Sequence, residues 1–346
     1  MKKLFVLLLC LFTFSAFAAE APAEEGGAFR PGDMITHHIA DAHKWEFAHG
    51  VNLYLPVILW DNGQLHTFSS SNLFDEHGVE VPYNGYVVEH GHIYKADAAG
   101  EPVEGYSGLY DLSITKNVAS MLLSVALLLL IFFVIAGRYK NNPGKAPSGI
   151  QSFFEPIIIF IRDDIAKANI GPKYERYMPF LLTIFFFIWF NNLLGLMPGG
   201  ANLTGNIAVT LVLALMTLLI TVFSGNKSYW SHIFATPGVP VWLAPIMIPV
   251  ELIGIITKPF SLMVRLFANI TAGHIIILSL FSLIFIFESI AVAPLSVAFA
   301  TFMNFLELFV ALLQAYIFTL LSAMYFGGAV EEHDHVDDMG HGDAHH

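Results

Sequence analysis

The sequence predicts an all-α polytopic membrane protein with an oblique C-terminal helical hairpin, preceded by a small extracytoplasmic β-rich N-terminal domain. Three observations carry that class. The 346 residues are 55% hydrophobic, with a mean hydropathy of +0.63. Several apolar runs reach about 18 residues or more, the length that spans a roughly 30 Å hydrocarbon core. Charge is segregated: residues 20–116 hold 15 Asp/Glu against 4 Lys/Arg, and the tail from 331 holds 6 acids and no Lys or Arg. The middle, 117–330, holds 7 acids and 10 bases, so the formal charge of −12 hides a slightly basic membrane part. No nucleic-acid partner is expected from such a distribution.

Residues 1–19 read as a signal peptide. Lys2 and Lys3 start it, an apolar run follows, and Ala16-Phe17-Ala18 supplies a small-x-small cleavage signal. An uncleaved first span is the weaker alternative, because the run is short and a polar segment follows at once. The one cysteine, Cys10, lies in this run. Its removal would leave no thiol for disulfides or thiolate chemistry. Residues 20–116 would then form an extracytoplasmic domain. A short helix is expected over 34–50. Short strands are expected over 51–112, punctuated by Asn62-Gly63, His77-Gly78, Asn84-Gly85 and His90-Gly91. Eight histidines fall in this domain, at 37, 38, 43, 49, 66, 77, 90 and 92, without a metal-ligand spacing. They read as solvated or structural, and no metal or cofactor is expected.

The remainder, 117–327, reads as the transmembrane domain. Residues 117–137 make the first clean span. Seven Lys/Arg follow within 138–176, which the positive-inside rule places in the cytoplasm. Ile150, Phe153, Phe154, Ile157, Ile158, Ile161 and Ile165 recur there at helical spacing, as in an amphipathic helix on the membrane surface. Spans over 177–197 and 206–223 flank the turn Pro198-Gly199-Gly200, and 224–239 form a connection. Two very long apolar segments come next, near 240–290 and 295–327. The acidic, His-rich tail 328–346 is expected to be a disordered cytoplasmic extension.

The last two segments carry the chemistry. Residues 253–287 as one helix would measure roughly 52 Å. A bilayer core of roughly 30 Å accommodates that length only at a tilt of order 55°, beyond the usual ~0–40°. On this helix Glu251, Lys258 and Arg265 are spaced by seven and share a face, with Asn269 one turn on. His274 falls on the opposite side, together with Glu288. On the second helix Glu307 and Gln314 share a face. Glu251 with Lys258 is also compatible with an interfacial ion pair, Glu288 with an outer-end surface charge, and Asn269 and Gln314 with helix–helix hydrogen bonds. Arg265 has the least structural explanation: a guanidinium amid apolar sequence costs roughly 2.5–3.5 kcal/mol to insert.

Residues 261–274, SLMVRLFANITAGH, resemble the signature of subunit a of the rotary ATP synthases. LLQAYIF near the C-terminus resembles that family's last-helix motif. The resemblance covers about 115–327. It implies a stationary membrane-sector subunit with Arg265 as the coupling arginine facing a rotating c-ring. It implies a proton path drawing on His274, Glu307, Asn269, Gln314, Glu251, Glu288 and Lys258. It also implies b-type peripheral stalk subunits and a soluble ATPase sector as partners, lipid as surroundings, and the cell inner membrane as location. In a familiar bacterial version the position of His274 holds glutamate and that of Glu307 holds histidine. The exchange predicts that the two side chains meet across the hairpin. The chain shows no Walker A loop, Gly-x-Ser-x-Gly or zinc motif, so ATP chemistry would belong to partners. A secondary transporter would show two related halves with broken helices, which are not evident. A membrane-anchored sensor would leave Arg265 without a role.

Overall fold

The computed structural model describes residue 32 and residues 40–331, apart from 49–50, 76–77, 90, 104, 142–143, 145, 198, 235–240 and 288–291. The expected signal peptide, nearly all of 20–39, Glu288 and the tail beyond 331 lie outside the described residues.

The N-terminal part is built from three small antiparallel sheets. Strands β1 (Lys44–Ala48) and β2 (Val51–Tyr54) pair, β3 (Pro56–Asp61) lies between β4 (Gln64–Ser69) and β7 (Leu109–Asp111), and β5 (Tyr86–Glu89) pairs with β6 (His92–Lys95). Strand β1 corrects the helix expected over 34–50. Trp45 is buried while Lys44 is half-buried and Glu46 exposed. That is a period of two, and pairing with β2 satisfies it. In β3 the buried residues are Val57, Leu59 and Asp61, and Leu73, Tyr86, Val88 and Ile93 complete the small core. Asn62-Gly63 closes β3 to β4 with both residues at positive φ, 46° and 88°. This is the hairpin geometry that the dipeptide favours. Asp61 is buried and fully engaged: Lys95 Nζ donates at 2.8 Å, Tyr106 Oη at 2.5 Å and Tyr86 Oη at 3.0 Å. The Lys95 and Tyr106 hydrogen bonds outweigh burial and hold its carboxyl at about 2.

The rest is helical. Among the described residues five helices are long and apolar enough to cross a membrane. In chain order the elements are α1 (Lys116–Asn141), α2 (Ile150–Phe160), α3 (Tyr174–Gly195), α4 (Ile207–Ser224), the short α5 (Lys227–Phe234), α6 (Ala244–Ile286) and α7 (Ala293–Val330). Helix α2 continues through a wide turn, Ile161–Lys167, and the short segment Ala168–Ile170, up to Gly171 at φ 72°. Phe154, Ile161 and Ile165 of this apolar face are buried against the protein core, while Ile150 and Phe153 remain exposed. The connection expected over 224–239 contains α5. Helix α7 runs to Val330, three residues into the segment read as tail.

Close packing concentrates where α7 meets α3 and the end of α2. Small residues make it possible: Ala311, Ala315, Ala323 and Ala329 of α7 are buried, and Gly327 lies directly on the Asn169 carbonyl. Asn226 closes this end of the bundle, its backbone N–H donating to the Ala329 carbonyl (2.9 Å) and its side chain to Val330 (2.7 Å). Helix α6, with 43 residues, measures about 64 Å and is helical straight through Pro249 and Pro259.

Candidate functional site

Helix α6 strings its ionisable residues along its axis in the order Glu251, Lys258, Arg265, His274. From Glu251 to His274 is about 35 Å along the axis, close to a bilayer core. Polar features gather at both ends of that line.

At one end α6 meets α7 through His274 and Glu307. His274 Nδ1 lies 3.1 Å from Glu307 Oε1. Glu307 is 5% exposed, and among the described residues neither carboxylate oxygen accepts a hydrogen bond, so the contact is an ion-pair approach rather than an aligned bond. Gly273 makes room: a Cβ there would sit 2.9 Å from Glu307 Oε1. Gly195, at the end of α3, lines the other side, where a Cβ would reach an ordinary 3.8 Å from His274 Nε2. One turn of α7 beyond Glu307, the Ala311 carbonyl accepts from Asn192 Nδ2 at 3.2 Å, and Asn192 Oδ1 accepts from Thr204 Oγ1 at 2.6 Å. The buried Asn191 Oδ1 and Thr271 Oγ1 accept or donate no hydrogen bond among the described residues. Each sits one helical turn from a wall of the pair. Buried polar atoms left in this way are those that ordered water satisfies.

At the other end α4, α5, α6 and α7 enclose a cavity of about 300 Å³ lined by Tyr229, His232, Glu251, Lys258, Tyr325 and Glu331. Glu251 and Lys258 share it without forming an ion pair among the described residues. Burial, and then the Glu251 carboxylate, push the Tyr229 hydroxyl above its ordinary value. Lys258 Nζ stands 5.7 Å over the Tyr325 ring.

Arg265 is half-buried between the two ends and forms no ion pair among the described residues. Asn269, one turn on, is exposed, whereas Gln314 on α7 is 3% exposed. The structure thus brings His274 to Glu307, and Glu251 to Lys258 in one cavity. It leaves Asn269 on the surface and does not bring Gln314 into a described hydrogen bond. Glu288 lies outside the described residues. Sequence reasoning missed Tyr229, His232, Tyr325 and Glu331 on the cavity, and Asn192, Thr204, Gly195 and Gly273 around the pair. Asn191-Asn192 inside an apolar run was the one readable signal among them.

A chain with five membrane-length helices, the last two of which carry ionisable groups such as Arg265, His274 and Glu307 within their length, is a polytopic membrane protein that places charge inside the bilayer. A family model for the ATP synthase A chain matches residues 118–327, and one described as a domain of unknown function (DUF8433) matches 34–112. The chain is 51% identical to ATP synthase subunit a of Chloroherpeton thalassium over 245 residues, which are 69% of this chain and 73% of the relative. It is 40% identical to ATP synthase subunit a of Chlorobium phaeobacteroides (strain DSM 266) over 344 residues, 96% and 86% of the two chains. With ATP synthase subunit a of Myxococcus xanthus it shares 46% over 249 residues, 70% and 81%. The chain belongs to the ATP synthase subunit a family.

Proposed function

We propose that this chain is the stator subunit of the ATP synthase membrane sector. It provides two proton half-channels separated by Arg265, and couples proton flow to rotation of a c-ring. The single observation that carries the reading is the layout of α6: a buried acid–imidazole pair at one end, a polar cavity at the other, and between them a half-buried arginine without an ion pair among the described residues.

The physical logic follows from charge in a low-dielectric medium. A ring carboxyl can cross lipid only when neutral. Arginine stays protonated at any working pH, so a carboxyl that reaches Arg265 ionises and releases its proton to the cavity of Glu251 and Lys258. It is recharged from the opposite side through His274 and Glu307, with Glu288, Asn269 and Gln314 completing the path. The arginine also blocks direct passage of protons between the two halves. The membrane potential contributes roughly 2.3 kcal/mol per charge per 100 mV.

In this reading the chain sits in the cell inner membrane after export through residues 1–19. Residues 20–116 are extracytoplasmic, the cavity and the C-terminus are cytoplasmic, and the α6–α7 hairpin lies obliquely against the ring. The length of α6, about 64 Å against a roughly 30 Å core, supports the tilt. The stalk subunits of b type and the soluble ATPase sector complete the complex and carry the ATP chemistry. The test is Arg265→Ala in the reconstituted complex. Proton-driven ATP synthesis is expected to vanish with the complex still assembled; synthesis at the parental rate overturns the reading.

A further inference from the structure

The β-rich part is joined to the membrane part by more than its own chain. Backbone pairing with β3 continues past β7: Leu112 N–H donates to the Ile58 carbonyl (2.9 Å) and Ile114 N–H to the Pro56 carbonyl (3.1 Å), one residue before Thr115 begins the first turn of α1. The segment 40–45 then grips the start of α1. Lys116 N–H donates to the Ala42 carbonyl (2.8 Å), Lys116 Nζ to the Ala40 carbonyl (2.9 Å) and Asn117 N–H to Asp41 Oδ1 (3.1 Å). Further along the same segment, Trp45 Nε1 donates to the Gly199 carbonyl at 2.6 Å, across 154 positions of sequence. Trp45 is 7% exposed. The segment is a strap tying the first span to the turn after α3.

That turn is the other face of the His274 pocket. Gly195 opens it, and a Cβ there would meet both His274 Nε2 (3.8 Å) and the Ala201 carbonyl (3.4 Å). Gly199 holds φ 68°, and Gly200 N–H donates to the Met197 carbonyl at 2.7 Å. Gly200 is pressed against the Leu194, Met197 and Gly195 carbonyls so closely that no side chain fits. A turn this compact ties the position of Gly199 to that of Gly195, where a Cβ would come within van der Waals reach of the imidazole.

We propose that Trp45 is a positioning residue for proton entry: through Gly199 it sets the wall against which His274 stands. The inference rests on reading His274 and Glu307 as the entry pair. It gives the exported β-rich part a role in coupling, in place of a passive appendage.

The experiment uses the whole complex in inside-out vesicles, with synthesis measured against luminal pH at constant total driving force. Trp45→Phe keeps an aromatic ring, smaller than the indole, and removes the donor; Trp45→Ala removes both ring and donor. Each is expected to shift the luminal proton concentration for half-maximal synthesis by about two- to tenfold, the range one lost hydrogen bond commands. The dependence on pH of the opposite side is expected to stay put. Trp60→Phe, at an exposed site on the neighbouring sheet, is the control and should move neither profile. Luminal profiles of both Trp45 variants that superimpose on the parent overturn the proposal. If Trp45→Ala fails to assemble, the Trp45→Phe profile decides. His274→Ala measured in parallel separates the two readings. A parental profile there removes the entry pair itself, whereas loss there with parental Trp45 variants removes only the strap's role.

Discussion

His274 on α6 and Glu307 on α7 face each other at 3.1 Å, with the carboxyl buried and accepting no hydrogen bond among the described residues. An acid and an imidazole within this reach can exchange a proton whichever helix carries which group. Exchanging them, His274→Glu with Glu307→His, should therefore retain more proton-driven synthesis than either His274→Ala or Glu307→Ala. Each single change is expected to lose about a hundredfold or more, the scale of a general acid–base contribution. Synthesis rates of the four assembled complexes check this; a double exchange as inactive as the singles would show that the two do not act as a pair.

Gly273 tests the same pocket by volume. A methyl at this position would stand 2.9 Å from Glu307 Oε1, a distance real side chains do not keep. The obstructed group is the free end of a flexible side chain, so the helix survives and the carboxyl swings aside. Gly273→Ala is expected to assemble normally yet lose about ten- to a hundredfold in synthesis, since an ångström of misplacement commands that much. A variant with parental rates would mean that the carboxylate position is not critical.

How much of this was legible depended on whether the signal was periodic or remote. The seven-residue spacing of Glu251, Lys258 and Arg265 and the length of α6 are visible in the chain, because a helix converts spacing into direction. The meeting of His274 with Glu307 came from the exchanged residues of a resembling family. Tyr229 and His232 were not visible as cavity residues, because α5 is only 8 residues long and its placement depends on Asn226 reaching the end of α7. Trp45 was expected on a helix. Its true partners are a strand laid beside it and a carbonyl 154 residues away, neither of which local pattern encodes.

Asp61 makes the β-rich part acid-sensitive. Its carboxyl, held at about 2 first by Lys95 and then by Tyr106, is lowered relative to an unfolded aspartate near 3.8. A depressed acid contributes stability that is fully present above the unfolded value and is lost as pH falls through the folded one. The protection of β3 and β4 amides in the intact chain, taken relative to the intrinsic exchange rate at each pH, should therefore fall between pH 4 and pH 2. Asp61→Asn should remove that dependence and raise exchange at neutral pH by about ten- to a hundredfold, the loss expected for charge-assisted bonds. An unchanged acid profile in Asp61→Asn would place the sensitivity elsewhere.

The cavity between α5 and α6 distinguishes two side chains that lie close together. Tyr229 is pushed above its ordinary value by burial and by Glu251, so it stays a neutral hydroxyl at any working pH and cannot serve as a base. His232 lines the same cavity with an imidazole, which can accept a proton and pass it on. Tyr229→Phe is accordingly expected to leave the dependence of ATP-driven pumping on cytoplasmic pH in place. His232→Ala should slow pumping by about two- to tenfold, a modest loss because Glu251 and Glu331 line the same cavity. The luminal profile should be unaffected in both. Pumping recorded in vesicles at stepped cytoplasmic pH gives the answer directly: an effect on the luminal profile, or a larger loss in Tyr229→Phe than in His232→Ala, would reverse the assignment.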